Sequence, residues 1–288
     1  ILLILPLVFR GKITEIARRE LNKQLTAEVN FDKLKVSFIR NFPDASVSLK
    51  NIRVTGTGDF AKDTLLFSRD VNLVINLKSL FGNTGYDVKK LEFTDSKVLA
   101  HVLKDGRANW DIMKTDTTAA LDTSAMSFKF KLNNVVINRA DVRYADDEGD
   151  IAADVKNLNL RMNGDLTADS TLLVTKLTAD TLNFWSEGFQ YAHNMTVDID
   201  ADINADLNSE RYAFANNQMK LNAVPFALNG WVQLIDSGYN MDLTLDASKV
   251  NFKSILSLMP AIYAKSFDQL KAEGKVTFFS RSKNRLWT

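Results

Sequence analysis

The chain has 288 residues, 45% hydrophobic and 25% charged, with a formal net charge of +1. That is apolar material for one large or two ordinary domains, and the balanced charge offers no basic excess for binding nucleic acid. Cysteine is absent, which removes disulfides, thiolate catalysis and cysteine-based metal sites together.

Residues 1–9 are apolar without interruption apart from Pro6, and Arg10 and Lys12 follow at once. A membrane-spanning helix needs ~20 apolar residues, so 1–10 reads as the remnant of a longer N-terminal anchor. The alternatives are a buried strand or part of a signal peptide. Next, Ile13, Ile16, Ala17, Leu21 and Leu25 recur at helical spacing, with Glu15, Arg18, Arg19, Glu20 and Lys23 opposite them. This predicts an amphipathic helix, suited either to plugging a sheet or to lying on a membrane surface.

From residue 34 the period changes to two. Leu34, Val36 and Phe38 alternate, then Val47 and Leu49, with a slip of phase before Ile52 and Val54 that suggests a bulge. Val71, Leu73, Ile75 and Leu77 form the next alternating run, before a turn at 81–85. Further strands are expected at 88–93, 97–103, 127–137, 151–162, 172–184, 195–207, 212–223, 226–234 and 241–247. Turn signals such as Glu148-Gly149-Asp150 and Asn163-Gly164-Asp165 separate them. Residues 114–124, rich in Thr, Asp, Ala and Ser, have no period and read as a linker or loop between modules at 11–113 and 125–288. Phe252, Ile255, Leu256, Leu258 and Met259 predict a late helix near 251–260 that ends at Pro260, and a strand restarts at 275–279. The basic run at 280–288 loses the alternation, so the second module reads as incomplete at its C-terminus. The fold class that follows is mainly β with a few helices: a long antiparallel sheet, either curved into a groove or packed as a sandwich.

The clearest strand runs from Met195 to Leu207. Val197, Ile199, Ala201, Ile203, Ala205 and Leu207 share one face, and Asp198, Asp200, Asp202, Asn204 and Asp206 the other. The aspartates read as a solvated face rather than a calcium site, because same-face neighbours on one strand stand ~7 Å apart, too far to share an ion bound at 2.3–2.6 Å. The acidic run 146–150 lacks EF-hand spacing and reads as a turn. His101 and His193 belong to no spaced metal motif, and no nucleophile elbow or glycine-rich phosphate loop occurs. Neither an enzyme nor a cofactor is therefore expected. The apolar faces are what remains to carry function, either as two faces burying each other or as the lining of a cavity for an apolar ligand.

Several phrases together resemble the AsmA family of diderm bacteria. They are the helix ending Glu20-Leu-Asn-Lys-Gln-Leu25, the segment Asn41-Phe42-Pro43-Asp44 leading into a strand, the turn Lys104-Asp105-Gly106-Arg107-Ala108-Asn109-Trp110-Asp111, and Phe252 to Pro260 followed by Gly274-Lys-Val-Thr. The resemblance implies an inner-membrane-anchored protein of outer-membrane biogenesis whose β-rich body lies in the periplasm. It also implies that phospholipid acyl chains are sheltered or moved along an apolar groove. The expected groove residues are Val71, Leu73, Ile75, Leu77, Val197, Ile199, Ile203, Leu207, Met241, Leu243 and Leu245. The competing expectation is a structural or adhesive β-sandwich with a closed core and no ligand.

Overall fold

A computed structural model describes residues 15, 18–19, 22–23, 25–37, 44–76, 86–114, 130–165, 168–235, 238–251 and 275–284. The chain is mainly β and forms two compact units, Ile1–Gly149 and Asp150–Thr288. Glu15, Arg18, Arg19, Asn22 and Lys23 have helical backbone. Leu25, expected to end that helix, instead makes an isolated antiparallel bridge with Met113. The other residues of the expected N-terminal helix, nearly all of the expected linker and the late helix beyond Asn251 lie outside the described residues.

The first unit contains β1 (Glu28–Asn30), β2 (Lys33–Ser37), β3 (Asp44–Thr55), β4 (Thr64–Asn76), β5 (Tyr86–Val102), β6 (Phe130–Leu132) and β7 (Asn134–Asp146). The hydrogen-bonded order is β1-β3-β4-β5-β7, with β2 also on β3 and β6 also on β5. The sheet is mostly antiparallel, as expected, with one departure: β5 runs parallel to both β6 and β7. The reason lies in the connection 103–129, which is long enough to return the chain to the start of β5. A tight turn permits only antiparallel pairing.

The phase slip seen before Ile52 is not a bulge. Pairing of β3 with β4 keeps its register from Leu49↔Val71 through Ile52↔Ser68. Instead Asn51, Asp95 and Arg139 adopt positive φ of 51°, 52° and 57°, on one transverse line that also includes Arg69. A left-handed residue turns the following side chains over; β3, β5 and β7 each have one at this line, and β4, which has none, still brings both Leu66 and Val71 to the core, so the pairing survives. Leu49 and Val71 on one side of the crease therefore share a hydrophobic cluster with Ile52 and Val54 on the other. Inside the crease, the buried Ser68 hydroxyl lies 2.9 Å from the carbonyl of Asp70 and 3.2 Å from that of Thr94, and accepts from Ser96 Oγ at 2.9 Å. Outside it, Asp95 bridges Arg69 at 2.5 Å and Arg139 at 2.6 Å.

The core of this unit lies under the chain that precedes β2. Ala27, Val29 and Phe31 pack with Leu49, Ile52, Val54 and Val71, and Leu25, Leu73, Phe93 and Ile112 flank them. Burying each large apolar side chain contributes ~1.5–3 kcal/mol. Asn22 holds this lid in place, donating to Val29 O at 2.9 Å and accepting from Val29 N at 2.7 Å.

The second unit is a meander of β8 (Ile151–Asn163), β9 (Ser170–Ser186), β10 (Phe189–Asp206), β11 (Arg211–Leu221), β12 (Val224–Ile235), β13 (Gly238–Asn251) and β14 (Lys275–Asn284). Each strand pairs antiparallel with the next, as short turns dictate. Among the described residues no pairing closes the strands of either unit into a barrel. The predicted strand 195–207 is the C-terminal part of β10, whose 18 residues span about 59 Å at ~3.3 Å each.

Candidate functional site: the apolar face of the second unit

Residues paired across an antiparallel ladder point to the same face, so the register shows what β10 shares with its neighbours. Ile199 lies between Leu177 and Met219, and the row extends to Leu160 on β8 and Phe226 on β12. A second row runs Leu173, Ile203, Phe214, Gly230, Leu243. Five strands at 4.7–4.9 Å spacing make each row about 19 Å wide. Gly230, at φ 115°, interrupts the second row for a local reason: a Cβ there collides with the backbone carbonyl of Asp242 on the paired strand.

Burial along this face mostly falls as side chains get larger, although Leu173 is buried at 7% exposure. Ala201 and Ala205 are each 1% exposed, whereas the larger Val197, Ile199, Ile203, Phe214, Met219, Met241, Leu243 and Leu245 are only half-buried. Tall side chains shade the short ones between them while keeping their own outer surfaces accessible. A packed second layer would bury the tall ones first. Among the described residues of this unit the hydrophobic core cluster is small: Val224, Ala247 and Val250, with Phe226 and Leu245 against it.

The opposite face is mostly polar, with the exposed Leu172 and Val174 set among its polar residues beside Asn204 and Asp202. Arg161, Lys176, Asp200 and Gln218 form one row across it, with Lys176 Nζ 2.6 Å from Asp200. That contact pushes the Lys176 pKa upward. Asp202 accepts from Asn216 Nδ2 at 3.3 Å, and Asp206 caps the turn after β10 by accepting from the backbone of Asn208 and Ser209. The Ser209 backbone bond is the main cause holding the Asp206 carboxyl below its usual range. No group of three His, Asp or Glu side chains suited to a metal occurs among the described residues.

The expected groove residues divide between the units. In the second, Val197, Ile199, Ile203, Met241, Leu243 and Leu245 lie on the face just described, and Leu207 sits in the turn beyond β10. In the first, Val71 is buried in the core at 4% exposure and Leu73 packs against that cluster. Ile75 is half-buried, and Leu77 lies outside the described residues.

Two arrangements in the first unit were not singled out by spacing. His101 on β5 is clamped between carboxylates, Nδ1 at 2.7 Å from Asp63 and Nε2 at 3.3 Å from Asp147, with the Phe60 ring edge-on at 6.0 Å. The Asp63 hydrogen bond chiefly raises its pKa. Beside it Asn109, 2% exposed, accepts from His101 N at 3.0 Å and donates to Leu99 O at 2.7 Å. The Asp-Gly, Asn-Trp turn is thereby pinned back onto β5, and Trp110 stacks on Tyr144 at 6.4 Å. The acidic run after β7 is a turn cap, Asp146 accepting from the backbone of Glu148 and Gly149. Compared with known protein families and with curated proteins, the chain matches none of them.

Proposed function

We propose that this chain is an AsmA-like, membrane-anchored periplasmic protein of outer-membrane biogenesis, which shelters phospholipid acyl chains on the apolar face of β8 to β13 without catalysing a reaction. The observation that supports this reading is the row of half-buried apolar side chains Leu160, Leu177, Ile199, Met219 and Phe226 across five strands. Soluble proteins keep contiguous exposed apolar patches small, and larger ones mark binding surfaces. Each acyl methylene moved from water onto such a surface gains up to ~0.8 kcal/mol. The polar face, with its Lys176–Asp200 pair, would remain in water.

The first unit would then serve as a packed structural module, since its apolar face already lies beneath Ala27, Val29 and Phe31. Photocrosslinking tests the reading. A photoreactive residue at Ile199 or Leu243 should capture phospholipid in cells, while the same residue at Asp198 should not. Equal capture at Ile199 and Asp198 would count against a sided site.

A further inference from the structure

A cleft in the first unit brings together two arginines from distant parts of the chain, Arg18 before β1 and Arg53 on β3, with Asn30, Phe31, Asn51 and Phe67 around them. Each guanidinium lies against an aromatic ring, Arg18 at 5.2 Å from the centre of Phe31 and Arg53 at 5.8 Å from that of Phe67. Stacking fixes the plane of an arginine and leaves its N–H edge available for a ligand. The Arg18 Nη2 donates to Phe31 O at 2.6 Å, while its buried Nε has no hydrogen-bond partner. Arg53 has no carboxylate partner among the described residues. The one carboxylate lining the cleft, Asp32, accepts from Asn51 Nδ2 at 2.7 Å. The cleft thus holds two guanidinium groups against one carboxylate.

We propose that this cleft binds a phosphate-bearing anion, whose tetrahedral oxygens suit two planar donor forks from different elements. The ligand is either a lipid headgroup or a soluble phosphate. The inference is independent of the acyl-chain reading, because the cleft belongs to the first unit and its chemistry is ionic.

NMR titrations of the full chain test it, comparing sodium phosphate and glycerophosphoglycerol with sodium chloride at matched ionic strength. Saturable shifts at Asn30, Asp32, Asn51 and Arg53 with either phosphate compound, and not with chloride, are expected. Arg53→Gln should weaken binding by about tenfold or more, and Asp32→Asn should strengthen it. Arg53 is exposed, so its variant should melt at the wild-type temperature, which provides the folding control. Binding accompanied by flotation with phosphatidylglycerol-containing vesicles assigns a lipid headgroup, and binding without flotation assigns a soluble anion. Chloride-like shifts with both compounds, or undiminished binding by both Arg53→Gln and Arg18→Gln, overturn the proposal.

Discussion

Asn109 shows how one side chain fixes a loop. Both ends of its amide satisfy backbone groups of β5, on His101 and Leu99, and the residue is buried. Leaving a buried donor or acceptor unpaired costs ~1–3 kcal/mol. Asn109→Ala should therefore lower the unfolding free energy by about that amount, measured by urea denaturation. The Asn-Trp phrase was visible in the sequence as part of a family-like turn, but not what the asparagine bonds to, because its partners come from a strand that the turn folds back on. His101 was still less legible, since Asp63 and Asp147 approach it from turns on either side of β5. Its raised pKa, caused chiefly by Asp63, has a defined consequence for stability. A raised folded-state pKa contributes stability that is fully present below the unfolded value of ~6.5 and is lost as pH rises through the folded value. The stability difference between wild type and His101→Gln should accordingly shrink as denaturation is repeated from mildly acidic to mildly alkaline pH. A difference that grew with pH would contradict the clamp.

At the scale of elements, alternation located most of the long strands, because a two-residue period depends only on local side-chain direction, but it divided β5 into 88–93 and 97–103 and set 127–137 where β7 runs Asn134–Asp146. It could not reveal that β5 and β7 run parallel, which depends on where the 103–129 connection leads. It also detected the phase change before Ile52 without its cause. An insertion in one strand and a left-handed residue produce the same local pattern, and only the unbroken pairing across β3 and β4 distinguishes them. Asparagine tolerates positive φ better than other non-glycine residues, whereas a β-branched residue there costs more than the ~1–2 kcal/mol typical of left-handed conformations. Asn51→Gly should leave the midpoint of urea denaturation close to wild type, and Asn51→Val should lower the stability by at least about 1–2 kcal/mol. Equal effects of the two substitutions would show that the crease does not depend on the Asn51 backbone. The residues expected to line a groove were legible as a two-faced pattern, but whether a face is covered is a tertiary fact. Val71 and Ile199 have the same kind of alternating neighbourhood in the sequence, yet Val71 lies in a packed core and Ile199 remains half-exposed.

The two units therefore put the same strand pattern to different uses. In the first, the chain before β2 folds over the sheet and makes a core. In the second, six of the expected groove residues stay half-buried on one face, opposite a face of ion pairs and turn caps. The lipid-sheltering account rests on this contrast. Lipid extraction and quantification from the purified full chain, compared with the Ile199→Asp, Ile203→Asp double variant, tests it most directly. The account predicts phospholipid copurifying with the wild type and largely absent from a variant whose β-sheet circular dichroism is unchanged. Phospholipid absent from the wild type, or retained equally by the variant, would contradict it. Unfolding of the variant would do so as well, by showing that Ile199 and Ile203 belong to a closed core in which an unpaired charge is not tolerated.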